Sequence, residues 1–72
     1  MIDSGQRDVT GRLRILLSES PIAEIRRVKV EQQGDRVLLQ GRVRSFYAKQ
    51  MAQETVREAA GKLHIVNTVS VE

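Results

Sequence analysis

The chain has 72 residues, a formal net charge of +3 and no cysteine. This length predicts one domain whose core is only just sufficient for folding and has no disulfide to support it. No apolar run exceeds three residues, as in Ile15-Leu16-Leu17, which excludes a membrane-spanning helix here. No signal peptide is recognisable, so we expect a cytoplasmic protein or a domain of a longer, exported protein. We divide the chain into a flexible N-terminus over residues 1–7 and a single domain over residues 8–72.

The first predicted element is an amphipathic helix that begins near Asp8. Its apolar residues recur at helical spacing: Val9, Leu13, Leu16 and Leu17. Asp8 is the expected N-cap, with Asp3 or Ser4 as alternatives for an earlier start. The helix should end at Ser20-Pro21, because proline moves the preceding residue out of the α region.

Two strands joined by a tight turn are expected next. Residues 26–32 alternate, with Val28 and Val30 pointing inward, and Gly34-Asp35 is a turn signal. Residues 36–45 continue the alternation, with apolar side chains on one face and Gly41 in phase with them. A glycine inside a strand is typical of a bulge or of a close approach to the backbone.

A second helix and a last strand complete the pattern. Ser45 is the expected N-cap of a helix over residues 46–60. Its predicted inner face consists of small residues: Ala48, Ala52, Thr55, Val56 and Ala59. Gly61 is a candidate left-handed C-terminal cap. A strand over residues 63–71 follows, with Asn67 on its inward face.

The order helix, strand, strand, helix, strand predicts an α+β fold, an α/β sandwich with two helices on one face of a three-stranded mixed sheet. The crossover from the second to the third strand should be right-handed. The pattern does not decide whether the last strand lies beside the first or the second. The other sheet face is mostly polar, but Leu38 and Val66 point to it and are candidates for a dimer contact.

The ordered set of motifs resembles the BON domain, a module named for bacterial osmotically induced and nodulation proteins. The matching residues are Val28-Lys29-Val30, Gly34, the run from Val37 to Ser45, Lys49, Ala52, Gly61 and the run from Ile65 to Val71. The resemblance implies an α/β sandwich in the same order of elements. It also implies a non-enzymatic binding module that often attaches proteins to phospholipid membranes, in proteins that are commonly exported and often carry two copies.

The sequence offers no catalytic or metal-binding constellation. His64 is the only histidine and is expected on the polar sheet face, whereas a metal site needs three or more clustered ligands. We therefore expect no enzyme activity and no cofactor. Gly34, Gly41, Gly61 and Asn67 are assigned structural roles, with the Asn67 amide bonding to backbone groups near the sheet edge.

The remaining candidate site is a basic band. Nine of the twelve basic residues are arginine, whose guanidinium binds phosphate in a bidentate way. Arg27, Lys29, Arg42 and Arg44 share an outward phase on the first two strands and are the expected anion-binding residues. The simpler interpretation is a solvated basic surface. With only Phe46 and Tyr47 as aromatic residues, nucleic-acid binding is disfavoured, which leaves phospholipid or a protein partner.

Overall fold

A computed structural model describes the backbone of residues 5–72 and the side chains from Val9 onward. Residues 5–72 form three helices and five short strands in an α+β fold, as predicted. They are α1 (Gly5–Ser18), α2 (Ala23–Arg26), β1 (Lys29–Gln33), β2 (Arg36–Gln40), β3 (Arg42–Val43), α3 (Phe46–Ala60), β4 (His64–Asn67) and β5 (Ser70–Val71).

Helix α1 begins earlier than Asp8. Its first residue is Gly5, so Asp8 lies inside the helix and the prediction that it is the N-cap was wrong. The alternatives Asp3 and Ser4 lie outside the described residues, and the flexible segment predicted over residues 1–7 stays a prediction. The helix ends at Ser18, three residues before Pro21 and close to the predicted end at Ser20-Pro21.

The one-turn helix α2 was not predicted. The Ser20 hydroxyl accepts a hydrogen bond from the Ile22 N–H at 3.1 Å, which folds the chain back directly after the proline. Ile25 then enters the core with no exposed surface. The first strand therefore starts at Lys29 rather than at residue 26. Arg27 is the C-cap of α2, so placing it in the strand was wrong.

Strands β1 and β2 form the predicted antiparallel hairpin. Gln33 pairs with Arg36, which leaves Gly34 and Asp35 as a two-residue turn. Gly34 has a φ of +60°, and within residues 5–72 only glycines have a positive φ. A positive φ at only the first central residue is typical of a type II′ turn, which matches the twist of the two strands.

The last strand lies beside the second, which decides the point that the sequence pattern left open. The sheet order is β1-β2-β4, with β2 and β4 parallel, and β3 and β5 form a second parallel pair. Arg36 pairs with His64 and Val43 pairs with Val71, so the separation is 28 residues at both ends. The β2–β4 and β3–β5 pairs therefore share one register. Residues 36–43 and residues 64–71 behave as two long parallel strands, each of which is interrupted once.

Both long helices pack on one face of this sheet and enclose the core. Helix α1 contacts β1 and α3, and α3 contacts β2, β3, β4 and β5. The side chains buried most completely come from every layer: Leu13, Leu17, Ile25, Val37, Leu39, Val43, Val56 and Val69. Ala48 and Ala52 are buried on α3, as predicted, and their small side chains let the helix axis approach the sheet.

The predicted N-terminal cap of α3 is present in the structure, and the predicted C-terminal cap is present with a different backbone geometry. The Ser45 hydroxyl accepts a hydrogen bond from the Ala48 N–H at 3.1 Å, so the predicted N-cap is confirmed. Gly61 is the C-cap, with φ +61° and ψ −121°. The positive φ favours glycine, but this ψ lies outside the left-handed helical region, so the predicted cap geometry was wrong in that angle.

Candidate functional site

An open cavity of about 540 Å³ lies where α2 meets the ends of β3 and β5. Its lining is Ala23, Glu24, Arg27, Arg42, Val43, Arg44 and Glu72. Three of the four predicted anion-binding residues, Arg27, Arg42 and Arg44, therefore surround one cavity.

Strand alternation and a helix end position these arginines. Val43 is buried, so Arg42 and Arg44 on either side of it point outward from β3. Arg27 reaches the same cavity from the C-cap of α2. Its N–H donates to the Glu24 carbonyl at 3.3 Å, and the following N–H, of Val28, donates to the Ile25 carbonyl at 3.0 Å, so the backbone is fixed here while the Arg27 side chain is exposed.

Two carboxylates complete the cavity, and both are already engaged. Glu24 Oε2 accepts a hydrogen bond from the Arg44 backbone N–H at 2.7 Å, which ties α2 to the chain after β3. Glu72 Oε2 lies 3.5 Å from Arg42 Nε, with the two side chains 58% and 80% exposed. Among residues 9–72 the guanidinium groups of Arg27 and Arg44 make no ion pair.

Lys29, the fourth predicted residue, lies elsewhere. It lines a separate groove of about 350 Å³ together with Arg14, Arg26, Val28 and Val30. The structure thus divides the expected basic band into two sites. The two residues are separated because Arg27 belongs to the end of α2, whereas Lys29 is the first residue of β1.

Two exposed aromatic side chains lie at the start of α3. Phe46 is 76% exposed and Tyr47 is 66% exposed, although apolar surface of this size is usually buried. They follow Arg44 after a single residue, Ser45. Their exposure is predictable from the sequence, because neither residue shares the inward helical phase of Ala48 and Ala52.

Gly41 lies opposite Val28, at the break between β2 and β3. Its φ is +146°, and a Cβ atom added there would lie 3.5 Å from the Val28 Cα. Its carbonyl accepts a hydrogen bond from the Ser70 N–H at 2.8 Å, so the parallel ladder continues across the break between β2 and β3. Gly41 therefore sets the direction in which Arg42 and Val43 leave the sheet.

Asn67 joins α3 to the break between β4 and β5. Its amide Nδ2 donates to the Lys49 carbonyl at 2.9 Å and to Gln53 Oε1 at 3.3 Å. Its Oδ1 accepts a hydrogen bond from the Val69 N–H at 3.2 Å. The Val69 N–H lies beside the edge strand of the sheet, whereas the Lys49 carbonyl and the Gln53 side chain belong to α3.

His64 is exposed on β4. Within the described residues, no group of three potential metal ligands comes together. No helix in the same part of the chain is long and apolar enough to cross a membrane.

The family model for the BON domain matches residues 6–72. The chain belongs to the BON domain family. This match extends over α1 to β5, so the order of elements described above is that of one BON domain. Membership indicates a binding module, and BON domains are often associated with phospholipid. No curated protein matches the sequence.

Proposed function

We propose that this BON domain binds the phosphate of an anionic phospholipid headgroup in the cavity bounded by α2, β3 and β5. The observation that carries the proposal is the convergence of Arg27, Arg42 and Arg44 on one open cavity. A guanidinium group donates two parallel hydrogen bonds to phosphate oxygens, which a lysine ammonium group does not do.

The two carboxylates of the cavity leave the arginines available. The Glu24 carboxylate is held by the Arg44 backbone N–H and not by a guanidinium. The Arg42–Glu72 ion pair is exposed to solvent, and such a pair contributes only about 0–1 kcal/mol. A phosphate can therefore replace Glu72 as the partner of Arg42 at small cost.

Phe46 and Tyr47 supply the second part of the proposed contact. Aromatic side chains with an apolar body favour the boundary between headgroups and acyl chains. Because Phe46 follows Arg44 after a single residue, we place both rings at the boundary region of a membrane whose phosphates occupy the cavity. The site combines charge attraction with burial of apolar surface, the two contributions on which peripheral binding depends.

Vesicle binding tests this proposal. Phosphatidylcholine vesicles with and without phosphatidylglycerol are sedimented with the wild type, with the double variant Arg27→Gln/Arg44→Gln and with the control Arg12→Gln/Arg36→Gln. All four arginines are exposed and both doubles remove two charges. At about 1 kcal/mol for each basic residue near an anionic surface, the first double should bind about thirtyfold more weakly.

The control should retain most of the binding to anionic vesicles, and raising the salt concentration should weaken binding of the wild type. If both double variants lose vesicle binding equally, binding depends only on net charge, and the cavity is excluded as the site. Absence of wild-type binding to phosphatidylglycerol at low salt would refute the lipid proposal.

A second candidate function is self-association through the open face of the sheet. Leu38 and Val66 are direct partners in the β2–β4 register, so the two apolar side chains form one patch. Leu38 is half-buried and Val66 is 37% exposed. Analytical ultracentrifugation of the wild type and of Val66→Glu tests this candidate. A concentration-dependent dimer that Val66→Glu abolishes supports it, and a strict monomer at high concentration refutes it.

A further inference from the structure

The free side of β1 is an open sheet edge. In the order β1-β2-β4, β1 has a hydrogen-bonded neighbour on one side only within the described residues. Leu39 and Gly41 present their carbonyls to the β4–β5 side of the sheet. Because peptide groups alternate in direction along a strand, the even-numbered residues of β2 face β1.

This alternation identifies which β1 groups point outward. The residues that bond to β2 are Lys29, Glu31 and Gln33, through their register partners. The backbone N–H and C=O groups of Val30 and Gln32 therefore point away from the sheet. No hydrogen bond from the rest of the described chain reaches them. Such unpaired groups are a template for an added strand.

A basic groove runs beside this edge. It has a volume of about 350 Å³, and its charged lining consists of Arg14 from α1, Arg26 from α2 and Lys29 from β1, with no carboxylate. Val28 and Val30 form its apolar floor. The groove thus offers cations and apolar contact next to backbone groups that need partners.

Arg26 is preorganised in this groove. Its Nε donates to the Ser20 carbonyl at 2.7 Å and its Nη2 donates to the Pro21 carbonyl at 3.3 Å. A guanidinium carries five N–H donors, so these two bonds fix its position and leave further donors for a ligand. A cation held in this way loses little conformational freedom on binding an anion.

We infer that the open edge of β1 binds an extended acidic peptide segment of a partner protein by strand addition. The peptide pairs with the outward backbone groups of Val30 and Gln32, and its carboxylates contact Arg14, Arg26 and Lys29. Main-chain pairing supplies affinity and the side-chain contacts supply selectivity in this mode of recognition. A second copy of this chain is disfavoured as the occupant, because its β1 edge carries the same uncompensated cations. This site is separate from the proposed lipid cavity.

The experiment uses blocked eight-residue peptides and the full ¹⁵N-labelled chain. One peptide alternates glutamate with threonine, which favours extended structure. A second has the same sequence with every amide N-methylated, so it keeps the charges and loses the donors. A third replaces glutamate by lysine. Amide shifts and hydrogen exchange are followed at Val30 and Gln32.

We expect only the first peptide to bind with shifts centred on β1. With the free peptide at about ten times its Kd, exchange of the Val30 and Gln32 amides should slow by about tenfold. Equal binding of the methylated peptide would overturn strand addition, since charge alone would then explain the affinity. Absence of binding, or shifts confined to Arg27, Arg42 and Arg44, would overturn the site.

Charge-reversal variants on one helix provide a matched comparison. Arg14→Glu and Arg12→Glu change the same residue type on α1, and both side chains are exposed. Arg14→Glu should weaken peptide binding by about three- to tenfold, and Arg12→Glu should change it little. Equal effects would overturn the role of the groove. A wild-type dimer that buries the Val30 and Gln32 amides in sedimentation and exchange experiments would also overturn the proposal, because a second copy would then occupy the edge.

Discussion

Gly41 gives the most direct test of how the sheet is built. Its φ of +146° is a conformation that side-chain-bearing L residues rarely adopt. Replacing it by alanine forces either strain at this position or a shift of the chain that carries Arg42 and Val43. The added Cβ atom would lie 3.5 Å from the Val28 Cα, which is an ordinary van der Waals distance. The cost is therefore conformational and does not arise from a clash.

The expected change in the free energy of unfolding is the difference between two opposing contributions. Holding a non-glycine residue in an unfavourable backbone region costs about 1–3 kcal/mol. Alanine also restricts the unfolded chain, which offsets about 0.4–1 kcal/mol of that cost. We expect Gly41→Ala to lower the free energy of unfolding by about 1–2 kcal/mol, and in a domain of this size each kcal/mol lowers the melting temperature by about 4–8 °C.

Gly11→Ala is the matched control. Gly11 lies inside α1 with a normal helical φ, and an added Cβ would meet nothing within 4 Å. The same chemical change should therefore stabilise the protein by about 1 kcal/mol. Urea unfolding followed by circular dichroism measures both variants. If Gly41→Ala is as stable as the wild type while Gly11→Ala shows its expected gain, the positive φ is not what requires glycine at this position.

Three further predictions concern side chains of β4 and of the start of α3. Asn67→Ala removes the amide bond to the Lys49 carbonyl, leaves the Val69 N–H without its side-chain acceptor, and should cost about 1–3 kcal/mol in urea unfolding; an unchanged midpoint would contradict this. Ser45→Ala removes the α3 cap and should cost about 1 kcal/mol, whereas Ser45→Asp should restore most of the loss. Phe46→Ala combined with Tyr47→Ala should change the free energy of unfolding by less than about 0.5 kcal/mol, because both rings are exposed. The same double variant should lower retention on anionic vesicles, and full retention would remove the rings from the proposed site.

Hydrophobic periodicity predicted the long elements well. Burial on one side gives a strand or helix a pattern that the sequence alone shows, as with Val37 and Leu39 or Ala48 and Ala52. The position of the last strand was not predictable, because alternation identifies the buried face of a strand and not its neighbours. Helix α2 was missed because four residues are too few to show a helical period.

The candidate site was predictable to the same limited extent. Arg42 and Arg44 follow from the phase of β3, which the sequence shows. Glu24 and Glu72 were missed because they come from distant segments that only the folded chain brings to these arginines. Lys29 was grouped with Arg27 on the assumption of one continuous strand, and the structure separates the two residues into different grooves.

The common register of the two parallel pairs has a consequence for the order of folding. The β1–β2 hairpin closes through a two-residue turn, and hairpins form in about 1–10 μs. Pairing of β2 with β4 must instead close a 28-residue separation that includes the whole of α3. Contacts so distant along the chain form late, because the entropy of closure must be overcome first. We expect β4 and β5 to join a preformed hairpin and helix in one step, since only one register packs both Ile65 and Val69 against the core. In native-state hydrogen exchange, the hydrogen-bonded amides of these two strands should then open before the amides that join β1 to β2.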